Sequence, residues 1–254
     1  MSTHFKIIIA CRNVEKWLDC CLSSIEQQTY KNRQCILIDD ASNDNTFSIA
    51  NKHLNIQILR NTSRSLKIQN YKLVMDFIDI HNEDVLVFVD GDDWLSDVNV
   101  LDYLAKIYEQ DIWITWGSFI EVDGKNPIVF GNYTNIPISK GPRPFPKGNN
   151  IRVGWRFSHL KTCKYFLWKN IKDESFRSVE THNYYEASID CALMWPMLEM
   201  AGPEHSKYIS RLLYVYNNNN PDSYMHRISN VQKQAFLELK RRKPYIRKTK
   251  KELL

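Results

Sequence analysis

Residues Val85 to Leu95 read Val-Leu-Val-Phe-Val-Asp-Gly-Asp-Asp-Trp-Leu, a stretch that leaves a chain few ways to fold. Five consecutive apolar residues, three of them β-branched, have the signature of a strand covered on both faces. The strand runs into Asp90, Asp92 and Asp93, and Gly91 turns the backbone where a side chain would crowd it. Carboxylates this close repel one another, and burying one of them unpaired costs several kcal/mol. A cation is therefore expected, and hard oxygen ligands favour Mg²⁺ or Mn²⁺, which share their remaining positions with phosphate oxygens. The alternative is a solvated acidic turn. Trp94 and Leu95 argue against it, because they draw the chain straight back toward a core.

Upstream, the pattern repeats strand and helix. Phe5 to Ala10 reads as a first buried strand, and Asn13 as the cap of a helix in which Trp17, Leu18, Cys21, Leu22 and Ile25 recur at helical spacing. Gln34 to Ile38 is a second strand and stops at Asp39-Asp40. A helix from Thr46 to His53, a strand from Ile56 to Leu59 and a helix from Ser65 to Ile80 lead to the central strand. This β-α-β-α-β-α-β order with short connections predicts a mostly parallel sheet with helices on both faces. Ligands of such sheets bind off the carboxyl ends of the strands, where Asp39-Asp40 and Asp90-Gly-Asp-Asp both fall. No GxGxxG follows the first strand and no Walker sequence occurs, which argues against a dehydrogenase or a kinase.

Downstream, a helix from Val100 to Glu109 and a strand from Ile112 toward Val122 complete the sheet. Residues Asn126 to Asn150 carry Pro127, Pro137, Pro142, Pro144 and Pro146 and read as a long irregular loop. Leu160, Cys163, Phe166 and Leu167 lie at helical spacing and predict a packed helix; Trp155, Arg156, His159 and Lys161 at its start are candidates for ligand contact. Asp190 to Gly202 is a helix with an acidic first residue, so Asp190 is either its ordinary cap or a functional acid. A strand at Leu212 to Tyr216, a loop holding His226, a helix from Asn230 to Arg241 and a solvated basic end follow.

The net charge of +5 is unevenly placed: Val231 to Leu254 holds nine Lys/Arg against two Glu, which leaves the rest of the chain at −2. The body thus gives no electrostatic reason to expect nucleic acid, whereas the tail could touch an anionic membrane surface. No run reaches the length of a membrane span and no signal peptide opens the chain, so a cytoplasmic protein is expected. Cys11, Cys20, Cys21, Cys35, Cys163 and Cys191 form no CxxC pair and read as free thiols of a reducing compartment.

Taken together, Ile-Ile-Ile-Ala-Cys-Arg-Asn-Val before a helix, Leu-Ile-Asp-Asp-Ala-Ser-Asn-Asp, Val-Phe-Val-Asp-Gly-Asp-Asp-Trp-Leu and a later acid heading a helix resemble the family 2 glycosyltransferases. The resemblance is strong over Phe5 to Leu104 and continues less specifically through His159-Leu-Lys-Thr and Asp190 to Gly202. It implies an α/β fold of the GT-A kind: a Rossmann-like, mostly parallel sheet in one compact domain with an irregular acceptor-side region. It also implies a nucleotide-sugar half (1–122), an acceptor and base half (123–230) and a basic tail (231–254). By position, Asp40 resembles the carboxylate that reads the nucleobase and Cys11, Arg12 and Asn13 the loop beside the base. Asp90 and Gly91 resemble the ribose-side residues, Asp92 the metal ligand, His226 a histidine near metal or diphosphate, and Asp190 the general base. Arg64 and Asn70, with His159 and Lys161, are carried as donor contacts. The family's glycine after the third strand is missing here, and Gln69-Asn70 stands where relatives have Arg-Asn.

The implied reaction is inverting transfer of a sugar from a nucleoside diphosphate to a hydroxyl of a glycan or other acceptor, with Mn²⁺ or Mg²⁺. Uridine suits Asp40 best, since a carboxylate accepts from the uracil N–H; thymidine and guanosine satisfy the same oxygen. Two other readings compete. A phosphatase of the haloacid dehalogenase type also ends a strand in Asp-x-Asp, but places it near the amino terminus and without the tryptophan. A non-catalytic binding module would keep the fold and use the tail.

Overall fold

The computed structural model describes residues 2–122, 138–139, 151–152, 154, 157–220 and 229–254. The first half alternates as its hydrophobic pattern requires: β1 (Phe5–Cys11), α1 (Leu18–Glu26), β2 (Arg33–Asp39), α2 (Thr46–Ala50), β3 (Ile56–Arg60), α3 (Lys67–Phe77), β4 (Val85–Asp90). A short β5 (Trp94–Leu95) and α4 (Val100–Tyr108) follow. β1, β2, β3 and β4 pair in parallel. Successive residues of β1 and β4 serve different cores: Ile8, Leu86 and Phe88 face one, with α3, while Ile7, Ile9, Val85, Val87 and Val89 face the other, with α1 and α4. Covering both faces is what makes the strands continuously apolar.

The second half departs from the expected order. The strand predicted from Ile112 toward Val122 breaks into β6 (Ile114–Gly117) and β7 (Phe119–Val122), which belong to different sheets. The helix predicted through Leu160 and Cys163 is instead β9 (Ser158–Lys164), inserted antiparallel between β4 and β6. Leu160 and Cys163 lie in opposite cores, as residues three apart do on a strand; a helix would put them on one face. Only at Tyr165 does a helix begin, α5 (Tyr165–Lys169). α6 (Ile189–Ala201) ends on Gly202 as expected. β10 (Ser206–Ile209), absent from the sequence reading, closes the main sheet, ordered β10-β6-β9-β4-β1-β2-β3. A smaller sheet joins β5, β11 (Tyr214–Asn217), β7 and β8 (Ile138–Ser139) in the order β5-β11-β7-β8. Among the described residues no helix is long and apolar enough to cross a membrane.

Nor is the basic end merely solvated. α7 (Ser229–Arg241) is followed by a segment that returns along the body to α8 (Lys250–Leu253), and Leu253 is only 1% exposed. The Lys248 N–H donates to the Met200 carbonyl at 3.0 Å, and the Tyr245 hydroxyl accepts from the Lys172 N–H at 2.9 Å. Arg152 fixes this layer. Its Nε and Nη2 donate to both oxygens of Glu199 on α6 at 2.6 and 2.7 Å, and its Nη1 to the Leu239 carbonyl of α7 at 2.6 Å. Asn13, expected as a cap, instead takes a left-handed conformation (φ 53°) and ties two loops together, while α1 starts at Leu18.

Arg152 and Glu199 are both 5% exposed at their side chains, so Arg152→Met leaves a buried carboxylate without its partner. The expected cost is about 3–5 kcal/mol, read in calorimetry as a fall in Tm of roughly 10 °C; an unchanged Tm would refute this account of how the C-terminal layer is held.

Candidate active site

β1, β2 and β4 all end at one edge, in Cys11, Asp39 and Asp90. Gly91 follows immediately, and a Cβ on it would stand 2.4 Å from Cys11 Cβ, so two strand ends approach here as only glycine allows. Arg12 Nη1 donates to the Asp40 carbonyl at 2.7 Å and also to that of Ala41. The Asn13 N–H donates to Ser42 Oγ and its Oδ1 accepts from the Asn43 N–H, both at 3.0 Å. The stretch from Cys11 to Asn13 is thus stitched to the loop carrying Asp40.

Asp40 is buried, and its Oδ1 accepts from the Ser65 N–H at 2.6 Å and from Asn61 Nδ2 at 2.8 Å. Asn61 donates in turn to Oδ1 of buried Asn70 at 2.7 Å. Asn70 therefore reaches Asp40 through Asn61, a residue the sequence reading missed. Arg64 is exposed on the same loop. Cys11 is buried, and burial with Asp39 and Asp92 nearby pushes its thiol well up, so it is a neutral packing group.

The three acids after β4 divide their work. Asp90 Oδ1 pairs with the Lys67 ammonium, which rises from the first turn of α3, and the Asp90 N–H donates to the Tyr214 hydroxyl at 3.0 Å. Burial alone would raise Asp90, but Lys67 holds it below the ordinary carboxylate range. Asp92 Oδ2 accepts from Asn220 Nδ2 at 2.8 Å, and burial and then Asp90 raise its pKa. Asp93 is 1% exposed; it accepts from the Asn217 N–H at 2.8 Å and from the Tyr214 hydroxyl at 2.7 Å. Burial, then Asp92 and Asp90, push it well up. His159 on β9 stacks on Tyr214 with ring centroids 4.5 Å apart. Its Nδ1 is buried with no hydrogen-bond partner among the described residues, and burial with Lys161 behind it pushes the imidazole down to about 3.

Ligand atoms of Asp90, Asp93 and His159 all lie within 4.8 Å of one another. An ionised Asp90, a crowded and buried Asp93, and a neutral imidazole whose buried Nδ1 has no partner among the described residues fit a divalent cation. Oxygen with one nitrogen suits Mn²⁺ somewhat better than Mg²⁺. His226, carried as a further ligand from the sequence, lies outside the described residues, as do Trp155 and Arg156.

Asp190 stands in the first turn of α6, behind Ser188, which has the capping position. Its Oδ1 accepts from Lys161 Nζ at 2.6 Å, and its side chain is 38% exposed whereas that of Lys161 is 3% exposed. Burial would raise it, but Lys161, Lys67 and His159 hold Asp190 well below the usual range, so it is a carboxylate at any ordinary pH. Lys161, expected as a donor contact, lies behind Asp190 instead. Lys67 carried a faint signal in the sequence: a lysine in the first turn of a helix opposes the macrodipole and needs a local reason to be there.

Residues 6–166 match the family described as glycosyl transferase family 2. Glycosyltransferase GlyG of Streptococcus pneumoniae is 21% identical over 93% of this chain, and the match spans 75% of that protein. Among solved structures, S. aureus TarS with UDP-GlcNAc superposes on 86% of this chain at a TM-score of 0.57 and 18% identity. The mannosyltransferase PcManGT of Pyrobaculum calidifontis, solved with GDP-Man and Mn²⁺, superposes on 94% at 0.59 and 13% identity. The chain spans 59% and 63% of those two chains, and the fold it shares with them is GT-A. With more than half of its length inside the family match and its sheet built on the same plan, the chain belongs to glycosyltransferase family 2.

Proposed function

We propose that this chain moves a sugar, with inversion, from a nucleoside diphosphate to an acceptor hydroxyl, and that UDP is the carrier. One observation carries the reading: an ionised, half-open carboxylate, Asp190, shares the field of Lys67 with the acidic cluster after β4. Asp190 as base and the acids after β4 as the diphosphate edge would thus act within reach of one ammonium, which pairs directly with Asp90. The UDP-GlcNAc bound to TarS and the GDP-Man bound to PcManGT support the donor class, and Asp40 would accept from a uracil N–H equally well as from that of guanine.

The chain's own residues would then act as follows. Asp40, held by Asn61 and Ser65, would orient the base, and Asp90 the ribose. Arg64, exposed on the same loop, would contact the donor. Asp90, Asp93 and His159, with Asp92 beside them and, from outside the described residues, His226, would hold Mn²⁺ or Mg²⁺, which would offset charge on a departing diphosphate. Asp190 would take the acceptor proton as the new bond to the anomeric carbon forms and the bond to phosphate breaks. The electron pair leaves with the diphosphate, and a single displacement needs no protein nucleophile. In this reading residues 1–122 bind the donor, 123–230 shape the acceptor side and 231–254 close the fold. Six free cysteines support a reducing, cytoplasmic setting.

Thermal-shift titration with nucleoside diphosphate sugars and Mn²⁺ tests the proposal. A saturating donor should raise Tm by about 5–10 °C, from about 2.7 kcal/mol at a hundredfold excess over Kd; no shift with any of them would sink it. Asp92→Asn should abolish the Mn²⁺-dependent part of that shift. Because the pKa values of Asp92 and Asp93 are raised, protons compete with the cation, so apparent Mn²⁺ affinity should weaken as pH falls from 7 toward 5. Asp190→Asn should leave UDP affinity within about threefold while transfer, followed by UDP release, falls about 10²–10⁴-fold. Near-normal transfer by that variant would move the base elsewhere.

A further inference from the structure

Lys161 sits near the middle of a strand, on an element that is buried on both faces, where an ammonium costs several kcal/mol unless it is paired. Among the described residues Asp190 is its one carboxylate partner, at 2.6 Å, and its other polar neighbour is His159 Nε2 at 3.5 Å. At 3% side-chain exposure Lys161 has no surface to offer a substrate. Asp190 Oδ2 carries no hydrogen bond among the described residues, while Oδ1 accepts from Lys161. We propose that Lys161 is a positioning residue for the base: it clamps Oδ1 of Asp190 and leaves Oδ2 as the one oxygen that faces the acceptor hydroxyl.

The inference rests on the reading of Asp190 as the base. Four other groups share the field: Lys67 and Tyr71 from α3, His159 from β9 and Cys191 from α6. Lys67 is paired directly with Asp90, whereas the direct ion-pair partner of Lys161 is Asp190; both lysines also act on Asp90 at longer range. A neutral isostere at 161 would free the carboxylate to rotate and to protonate more readily. The clamp thus gives up some basicity for a fixed approach, and fixed approach is worth far more in a bimolecular transfer.

The test compares Lys161→Met and Lys161→Arg, each alone and combined with Asp190→Asn, after far-UV dichroism has shown native folding. UDP affinity in Mn²⁺ is measured by calorimetry, turnover as UDP released from UDP-GlcNAc with water as acceptor, and the Asp190 carboxyl by its carbon-13 shift against pH. Lys161→Met should keep UDP affinity within about threefold, lower turnover about 10–100-fold, and move the Asp190 midpoint up into the ordinary carboxylate range. Lys161→Arg should retain most turnover. In the Asp190→Asn background, Lys161→Met should cost nothing further. The clamp is overturned if UDP affinity falls along with turnover, which would make Lys161 a donor contact, if the two losses simply add, or if the Asp190 midpoint stays put. Should the unmodified protein neither bind UDP nor cleave UDP-GlcNAc, the choice of UDP as carrier fails by itself, and the Asp190 midpoint still decides whether Lys161 governs that carboxylate.

Discussion

Four carboxylates, Asp90, Asp92, Asp93 and Asp190, meet two ammonium groups, Lys67 and Lys161, at the end of a strand whose other side chains are all hydrocarbon. Within the low dielectric that such a strand creates, each charge is worth several times what it would be in water. The cluster therefore cannot be indifferent to its geometry. Among the described residues each lysine answers one acid closely, Asp93 is answered by neutral donors, and the side chain of Asp92 by the Asn220 amide. With more carboxylates than ammonium groups, this edge favours a cation, or the protonation that the raised Asp92 and Asp93 express.

Tyr214 connects that cluster to the smaller sheet. Its hydroxyl joins the Asp90 backbone to the Asp93 side chain, its ring stacks on His159, and its own strand pairs with Trp94–Leu95. The turn after β4 is thus fixed from three directions without any charge being spent on it. Burial with Asp93 and Asp90 nearby pushes the Tyr214 hydroxyl well up, so it stays a donor throughout.

The sequence reading found the elements whose pattern is local. β1, β2 and β4 announce themselves by apolar runs, the shorter β3 by Ile-Gln-Ile-Leu, and the acids after β2 and β4 by their crowding. It lost β9, because a strand buried on both faces and a buried helix both place apolar residues three apart, and His-Leu-Lys-Thr-Cys-Lys is not β-branched enough to decide. It lost the Asn61–Asn70 relay and Lys67 because their partners lie across the fold, where no spacing rule reaches. The tail was read from its charge, yet it is held by Arg152, Tyr245 and Leu253, whose contacts only a folded chain can show.

β9 pairs with β4 so that Lys161 lies opposite Phe88, two residues before Asp90. Side chains on a strand alternate, so slippage by one residue would send Lys161 and His159 together into the hydrocarbon of the opposite layer and bring Leu160 to the acids. The two halves of the chain are accordingly indexed to each other by main-chain pairing rather than by a loop. A one-residue insertion inside those seven residues would therefore invert every side chain beyond it, and with α5 starting at the very next residue no loop follows to absorb the shift.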